Sequence, residues 1–265
     1  MIADPRVHGV SVTGSERAGA AVAEIAGRNL KRVVLELGGS DPFILLGTDD
    51  LGATVEAAAE ARLDNAGQSC NAAKRFIVVD AVYDRFAAAM VRTMGALVVG
   101  DPADPTTDVG PLATRAIRDG VADQVARSVA AGARVLCGGR TTEGRGNFYP
   151  PTVLGDVPPS APAGREEVFG PVAALFRVPG IDEAIALANA TDFGLGASGW
   201  TTDRGEAERL TRDLEAGTVC INDMVASDPR FPFGGIKRSG YGRELSSFGL
   251  REFVNVKTVR LQGFD

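Results

Sequence analysis

Short apolar runs alternate with amphipathic helical stretches along almost the whole chain, and this alternation limits the fold more than any other feature. Residues 10–12, 32–37, 42–46, 75–79, 133–136, 172–177, 199–201 and 218–221 read as strands. Residues 16–29, 83–97, 114–131, 182–189 and 204–215 read as helices, and an Ala-rich helix reaches toward Asp64. Asp49 and Asp50 suit the start of that helix, because acids complement the positive end of the helix dipole. Strands separated by helices predict an α/β fold with a mostly parallel sheet and flanking helices. Two stretches break the pattern. Residues 138–151 are rich in Gly, Arg and Thr and read as a loop. Residues 231–243 carry four glycines among aromatics and cations, and long loops in compact domains are often functional. Residues 251–261 read as one more strand with nothing after it to pair with, so a partner on another subunit is expected.

Composition narrows the function classes. The 265 residues allow one large domain or two modest ones, and 45% of them are hydrophobic. Net charge is -6 and the 28 basic residues are scattered, which argues against nucleic acid as a partner, since phosphate binding needs clustered Lys and Arg. No apolar run approaches the ~20 residues of a membrane span. The first residues lack the basic and then apolar profile of a signal peptide, so the expected location is cytoplasmic. Asp4 and Pro5 lead straight into a strand, a Gly-containing turn and a helix. That is half of a nucleotide-binding unit, and a missing N-terminal part is expected.

Three cysteines, at 70, 137 and 220, with no C-x-x-C pair, suggest neither a disulfide framework nor a zinc site; no metal is expected. The single histidine, His8, lies in a strand-like stretch near the start, a poor place for the base that a Cys-His hydrolase requires. Cys70 differs from the other two. It ends the run Asn65, Ala66, Gly67, Gln68, Ser69, Cys70, between a helix and a strand. Gly67 permits a tight turn, the small polar neighbours leave the thiol accessible, and Lys74 and Arg75 are close enough in sequence to lower its pKa. Cys137, in a Gly-rich turn, and Cys220, in an apolar run, look structural. Glu36 ends an apolar strand just before Gly38 and Gly39. A carboxyl in a partly apolar place can have a raised pKa and act as a general base, and the glycines let other groups approach it.

These segments resemble the aldehyde dehydrogenase superfamily. Glu36, Leu37, Gly38 and Gly39 match its glutamate motif, and Gly67, Gln68, Ser69 and Cys70 its cysteine motif. The run from Glu166 to Pro171 and the run from Pro232 to Gly240 match two further blocks, in order. The finer text at 37–43, 72–76 and 238–246 is similar to the bacterial succinate-semialdehyde dehydrogenases. The resemblance implies residues 1–36 as the C-terminal remnant of a Rossmann-like nucleotide-binding domain, 37–250 as a catalytic domain and 251–265 as an oligomerisation tail strand. It implies Cys70 as the nucleophile and Glu36 as the base. NADP or NAD is the implied cofactor, with Gly14 and Ser15 on the pyrophosphate and Glu167 and Phe169 on the nicotinamide-side ribose and ring. Amides at a helix N-terminus can hold phosphate oxygens. Phe233 is implied beside the substrate channel. Ser227 is the candidate donor to a substrate carboxylate, which needs Arg or hydroxyl partners. The implied partners are a small aldehyde and further copies of the chain, a homo-oligomer joined through the C-terminal strand.

The chain also departs from the pattern. Some relatives carry an arginine six residues before the cysteine, where this chain has Asp64, and Arg62 on a helix points to another face. The family's oxyanion-holding asparagine lies upstream of anything present, leaving the Cys70 backbone amide as donor; one lost donor costs ~10²–10³ in rate. Two other readings stay open: a truncated module that folds or binds without turnover, and a thiol esterase that needs no cofactor.

Overall fold

The computed structural model describes residues 1–142 and 144–263. The chain opens with β1 (Gly9–Thr13), α1 (Glu16–Arg28) and β2 (Arg32–Glu36). β1 and β2 pair in parallel, giving a small βαβ unit. α1 begins on Ser15, whose side chain accepts from the Ala18 N–H, as an N-cap serine does.

A larger sheet follows. It is built from β3 (Asp41–Leu45), β4 (Ala73–Val79), β5 (Arg134–Cys137), β6 (Thr152–Gly155), β7 (Val172–Val178), the later strand β9 (Gly196–Trp200) and β10 (Thr218–Ile221). Their order across the sheet is β10-β9-β3-β4-β7-β6-β5. Every neighbouring pair is parallel except β5 with β6. The helices α2 (Leu51–Leu63), α3 (Asp80–Gly95), α4 (Arg115–Ala130), α5 (Pro162–Arg165), α6 (Ile181–Asn189) and α7 (Arg204–Asp213) flank it. Two-residue strands β8 (Phe193–Gly194) and β11 (Ile236–Lys237) form an antiparallel pair. The chain ends with β12 (Gly240–Tyr241) and α8 (Ser246–Glu252).

The central strands are buried on both faces, which explains their unbroken apolar runs. Side chains alternate between two cores. Phe43, Leu45, Phe76, Val78 and Leu175 pack with α2 and α3. Ile44, Ile77, Ala174 and Phe176 pack with α4, α6 and α7. Phe43 anchors the first core, with ring centroids 5.4 Å from Phe76 and 5.2 Å from Trp200. α2 buries Thr54, Val55, Ala58, Ala59 and Arg62, a stripe at helical spacing in which small residues allow close approach and one cation goes inward.

Three expectations change. The stretch 231–243 is not a plain loop: it contains β11 and β12, and β12 adds to β2 with Gly240 opposite Glu36. The small sheet is therefore completed from the far end of the chain, because an edge strand left by a lone βαβ unit has unpaired backbone groups to offer. The expected tail strand loses its first two residues: Arg251 and Glu252 close α8, while 254–263 carry no assigned element within this single chain. Val256, Val259 and Leu261 are exposed; Phe264 and Asp265, which the tail reading included, lie outside the described residues, as does Glu143 of the 138–151 loop. Third, Leu46, Thr201 and Glu215 fall just outside the strands and helix expected to hold them. No helix among the described residues is long and apolar enough to cross a membrane.

Candidate active site

Glu36 is the last residue of β2, and only four residues separate it from β3 in the larger sheet. This linker is clamped by the Gly-rich segment: Leu37 donates its N–H to the Ser239 carbonyl at 3.0 Å, and the Ser239 hydroxyl donates to the Gly38 carbonyl at 2.7 Å. Glu36 is 3% exposed, and neither carboxyl oxygen has a hydrogen-bond partner. Burial pushes its pKa up to about 8; the nearby Glu244 adds to the rise and Arg243 opposes it. The glycine that makes room for Glu36 is Gly234, where a Cβ would lie 2.5 Å from Oε1. Gly38 and Gly39 serve other neighbours. A Cβ at Gly38 would meet Oε2 of Glu167, and one at Gly39 would meet the Cys70 carbonyl at 2.6 Å.

The Cys70 loop therefore packs on the linker that Glu36 begins. It is entered through a sharp 3-10 turn, Asp64–Gly67, in which Asn65 (φ 50) and Ala66 (φ 56) are left-handed. Alanine there costs of order 1–2 kcal/mol, and such strain clusters at functional sites. Gly67 follows at φ +77, with the Gly170 carbonyl 2.4 Å from where its Cβ would be. The turn is held by Asn65 and Gln68, whose side-chain amides donate to each other's carbonyls at 3.2 Å, so the Asn65 amide is committed locally. Buried Arg62 donates to the Gly67 carbonyl at 2.7 Å.

The expected lowering of the Cys70 pKa is not what the surroundings produce. The thiol is half-buried, and burial pushes it up; Lys74 opposes this most, Asp41 adds to the rise and the Asn71 N–H opposes it. Lys74 is turned onto backbone instead of lying open beside the sulfur. Its Nζ donates to the carbonyls of Cys70 at 2.6 Å and Ser69 at 2.9 Å, and lies 3.6 Å from Oε1 of Glu167. Arg75 faces away, donating to the carbonyls of Ser40, Leu187 and Ala188. Asp41 completes a buried charge cluster that sequence reasoning missed: both its oxygens lack hydrogen-bond partners, and burial raises its pKa while lowering that of Lys74.

Around this centre lie two cavities. One, of about 550 Å³, is lined by Ser69 and Asn71, the two neighbours of Cys70, and by Glu60, Asp64, Val225 and Ser227 among others. Asn71 fastens its far wall by donating to the Val225 carbonyl at 3.1 Å. Ser227 is thus beside the thiol loop. Phe233 is not among the lining residues; it is buried and bridged through its backbone to Glu244. The other cavity, of about 400 Å³, brings together Ser15 and Glu167 with Arg17, Arg165 and Arg238. Phe169 lines a neighbouring groove that also reaches Glu167. Gly14 adjoins Ser15 at the start of α1. The Ser15 hydroxyl is used as the cap, leaving the first-turn N–H groups, which have no intrahelical acceptor, as donors to an anion. Glu167 accepts from the Gly39 N–H at 3.0 Å, so it ties this groove to the linker on which the thiol loop packs. The groove therefore sets free helix amides and arginines, one of them paired with Glu16, beside the Glu167 carboxylate.

A model of the aldehyde dehydrogenase family matches residues 1–259. The succinate-semialdehyde dehydrogenase (NADP(+)) of Mycobacterium avium is 56% identical over 259 residues, which are 98% of this chain and 55% of that protein. Succinate-semialdehyde dehydrogenase (NADP(+)) 1 of Mycobacterium tuberculosis is 55% identical over 98% of this chain and 57% of its own length. Among solved structures, succinic semialdehyde dehydrogenase from Streptococcus pyogenes in complex with NADP+ superposes with a TM-score of 0.95 at 41% identity, covering 99% of this chain and 58% of that one. The chain spans a little over half the length of these relatives.

Proposed function

The chain belongs to the aldehyde dehydrogenase family, and on that premise we propose that it carries the thiol chemistry of an NADP-linked oxidation of succinate semialdehyde to the acid. The supporting observation is the packing of the Cys70 loop on the linker that starts at Glu36, a buried carboxyl with no hydrogen-bond partner. Residues 1–36 serve the nucleotide side, and 37–250 the thiol side.

In this reading the Cys70 thiolate attacks the aldehyde carbon and its proton is lost to solvent or to Glu36. The new tetrahedral oxyanion takes the Cys70 backbone N–H. When bound, the oxidised nicotinamide supplies the hydride acceptor, and departure of hydride leaves a thioester on Cys70. Glu36, as carboxylate, takes a proton from the water that attacks this thioester; the C–S bond breaks, the acid leaves and the thiol is regained. Splitting the oxidation into two covalent stages lowers each barrier. Gly14 and Ser15 hold the diphosphate through the first amides of α1. Glu167 would hold the ribose hydroxyls and Phe169 would contact the ring of the bound cofactor. The far carboxylate of the substrate meets Ser227.

The test is formation of reduced cofactor by the purified chain with succinate semialdehyde or the neutral butyraldehyde, with NADP or NAD, beside a Cys70→Ala control. Cys70-dependent turnover favouring NADP and the semialdehyde supports the proposal. A preference for butyraldehyde removes the substrate assignment. A folded chain that binds nucleotide without turnover supports the second reading, a module that binds only. The exposed 253–263 tail is the segment we assign to self-association, and a cytoplasmic setting suits a thiol nucleophile, since thiols stay reduced there.

A further inference from the structure

Four charged side chains from separate segments surround the Cys70 turn: Asp41 at the start of β3, Arg62 on α2, Lys74 on β4 and Glu167 before β7. The chemistry above uses only Glu167. Among the others, Lys74 touches the backbone of the thiol residue itself. Its side chain is 1% exposed, and Nζ lies 2.6 Å from the Cys70 carbonyl, 2.9 Å from that of Ser69 and 3.6 Å from Glu167. A lysine has three N–H donors, and here three oxygens face them. Lysines ordinarily bury the stem and keep the head in water; an ammonium buried whole is tolerated only when paired and hydrogen-bonded. Asp41, fully buried, supplies further negative charge on the same cluster.

We propose that Lys74 is a positioning residue for the nucleophile: its ammonium clamps the Ser69 and Cys70 carbonyls, ties that turn to Glu167, and places a positive charge within electrostatic reach of the sulfur. The clamp fixes the backbone from which the thiol projects. The charge favours the thiolate in a place where burial disfavours it, and of the surrounding groups Lys74 opposes that penalty most. Asp41 and Glu167 work against the thiolate, so Lys74 and these two acids set its ionisation jointly. The inference rests on Cys70 being the nucleophile.

The experiment reads the ionisation of Cys70 directly. In a chain carrying Cys137→Ser and Cys220→Ser, alkylation by iodoacetamide is followed against pH, with circular dichroism to verify folding. Lys74→Met is expected to move the midpoint up by about one unit and slow alkylation about tenfold below it. Lys74→Arg, which keeps the charge, recovers most of the rate, and Asp41→Asn shifts the midpoint down. A merely structural role would disturb Lys74→Met and Asp41→Asn alike. An unmoved midpoint in folded Lys74→Met, or shifts of the same sign in the two variants, overturns the proposal. If Lys74→Met does not fold, the Arg and Asn variants decide, and an Asp41→Asn midpoint equal to the parent's overturns it. Turnover that survives Cys70→Ala would instead remove the nucleophile reading while leaving these shifts in place, so the two failures are distinct.

Discussion

Replacing Glu36 by glutamine should stabilise the protein at alkaline pH and do nothing in acid. Both carboxyl oxygens are buried without a donor, and the folded-state pKa stands at about 8 against an ordinary 4.5. The folded chain therefore holds the Glu36 proton more tightly than the unfolded chain. Between those two values unfolding releases a proton, so stability falls as pH rises through that window and levels off above it. At about 1.4 kcal/mol per unit, the whole shift bounds the loss at about 5 kcal/mol, and relaxation with water entry reduces it to about 2–3 kcal/mol. Glutamine keeps the shape and polarity but cannot ionise. Urea unfolding, followed by the fluorescence of Trp200, the only tryptophan, should put Glu36→Gln within about 0.5 kcal/mol of the parent near pH 4.5 and about 2–3 kcal/mol above it near pH 8.5. An equal difference at both values, or a parent that is the more stable at the higher pH, refutes the burial argument.

The same carboxyl sets the pH dependence of turnover. As a base it must ionise, so thioester hydrolysis should rise through about pH 8, and a profile flat across that range contradicts the role. Glu36→Gln should lose ~10²–10⁴ in steady-state rate while a single round of hydride transfer survives and acylated Cys70 accumulates on intact-mass analysis. Gly67→Ala forces a Cβ to 2.4 Å from the Gly170 carbonyl at φ +77. It should cost about 1–3 kcal/mol in unfolding experiments and slow Cys70 alkylation; an unchanged variant would mean the turn is not required in this form.

The parallel core was readable because Phe43, Ile44 and Leu45, or Phe76, Ile77 and Val78, are apolar at every position, which only a strand buried on both faces requires. The helix starts at Asp50 and Thr114 were readable from residues whose side chains accept from the first-turn amides. Cys70 and Glu36 stood out for their settings between helix and strand or before glycines. The left-handed turn was hidden, because Asn65 tolerates that conformation without demanding it, Ala66 disfavours it, and both are held by Arg62, the side-chain amides and the chain passing Gly170. The short β6 was masked by the prolines beside it. What surrounds Glu36 comes from residues two hundred positions away: β12 returning to β2, Gly234 at the carboxyl and Glu244 nearby. Lys74 was legible as a cation but not as a buried one, since its direction follows from where the Ser69 and Cys70 carbonyls point.

Mass-spectrometric mapping of the acyl group bears most directly on Cys70 as the nucleophile. The Glu36→Gln chain is mixed with succinate semialdehyde and NADP, quenched, and digested. A succinyl thioester is expected on Cys70, formed together with NADPH and absent when Cys70→Ala is added to the same chain. NADPH formed without an adduct on Cys70, or an adduct mapped to Cys137 or Cys220, would contradict it.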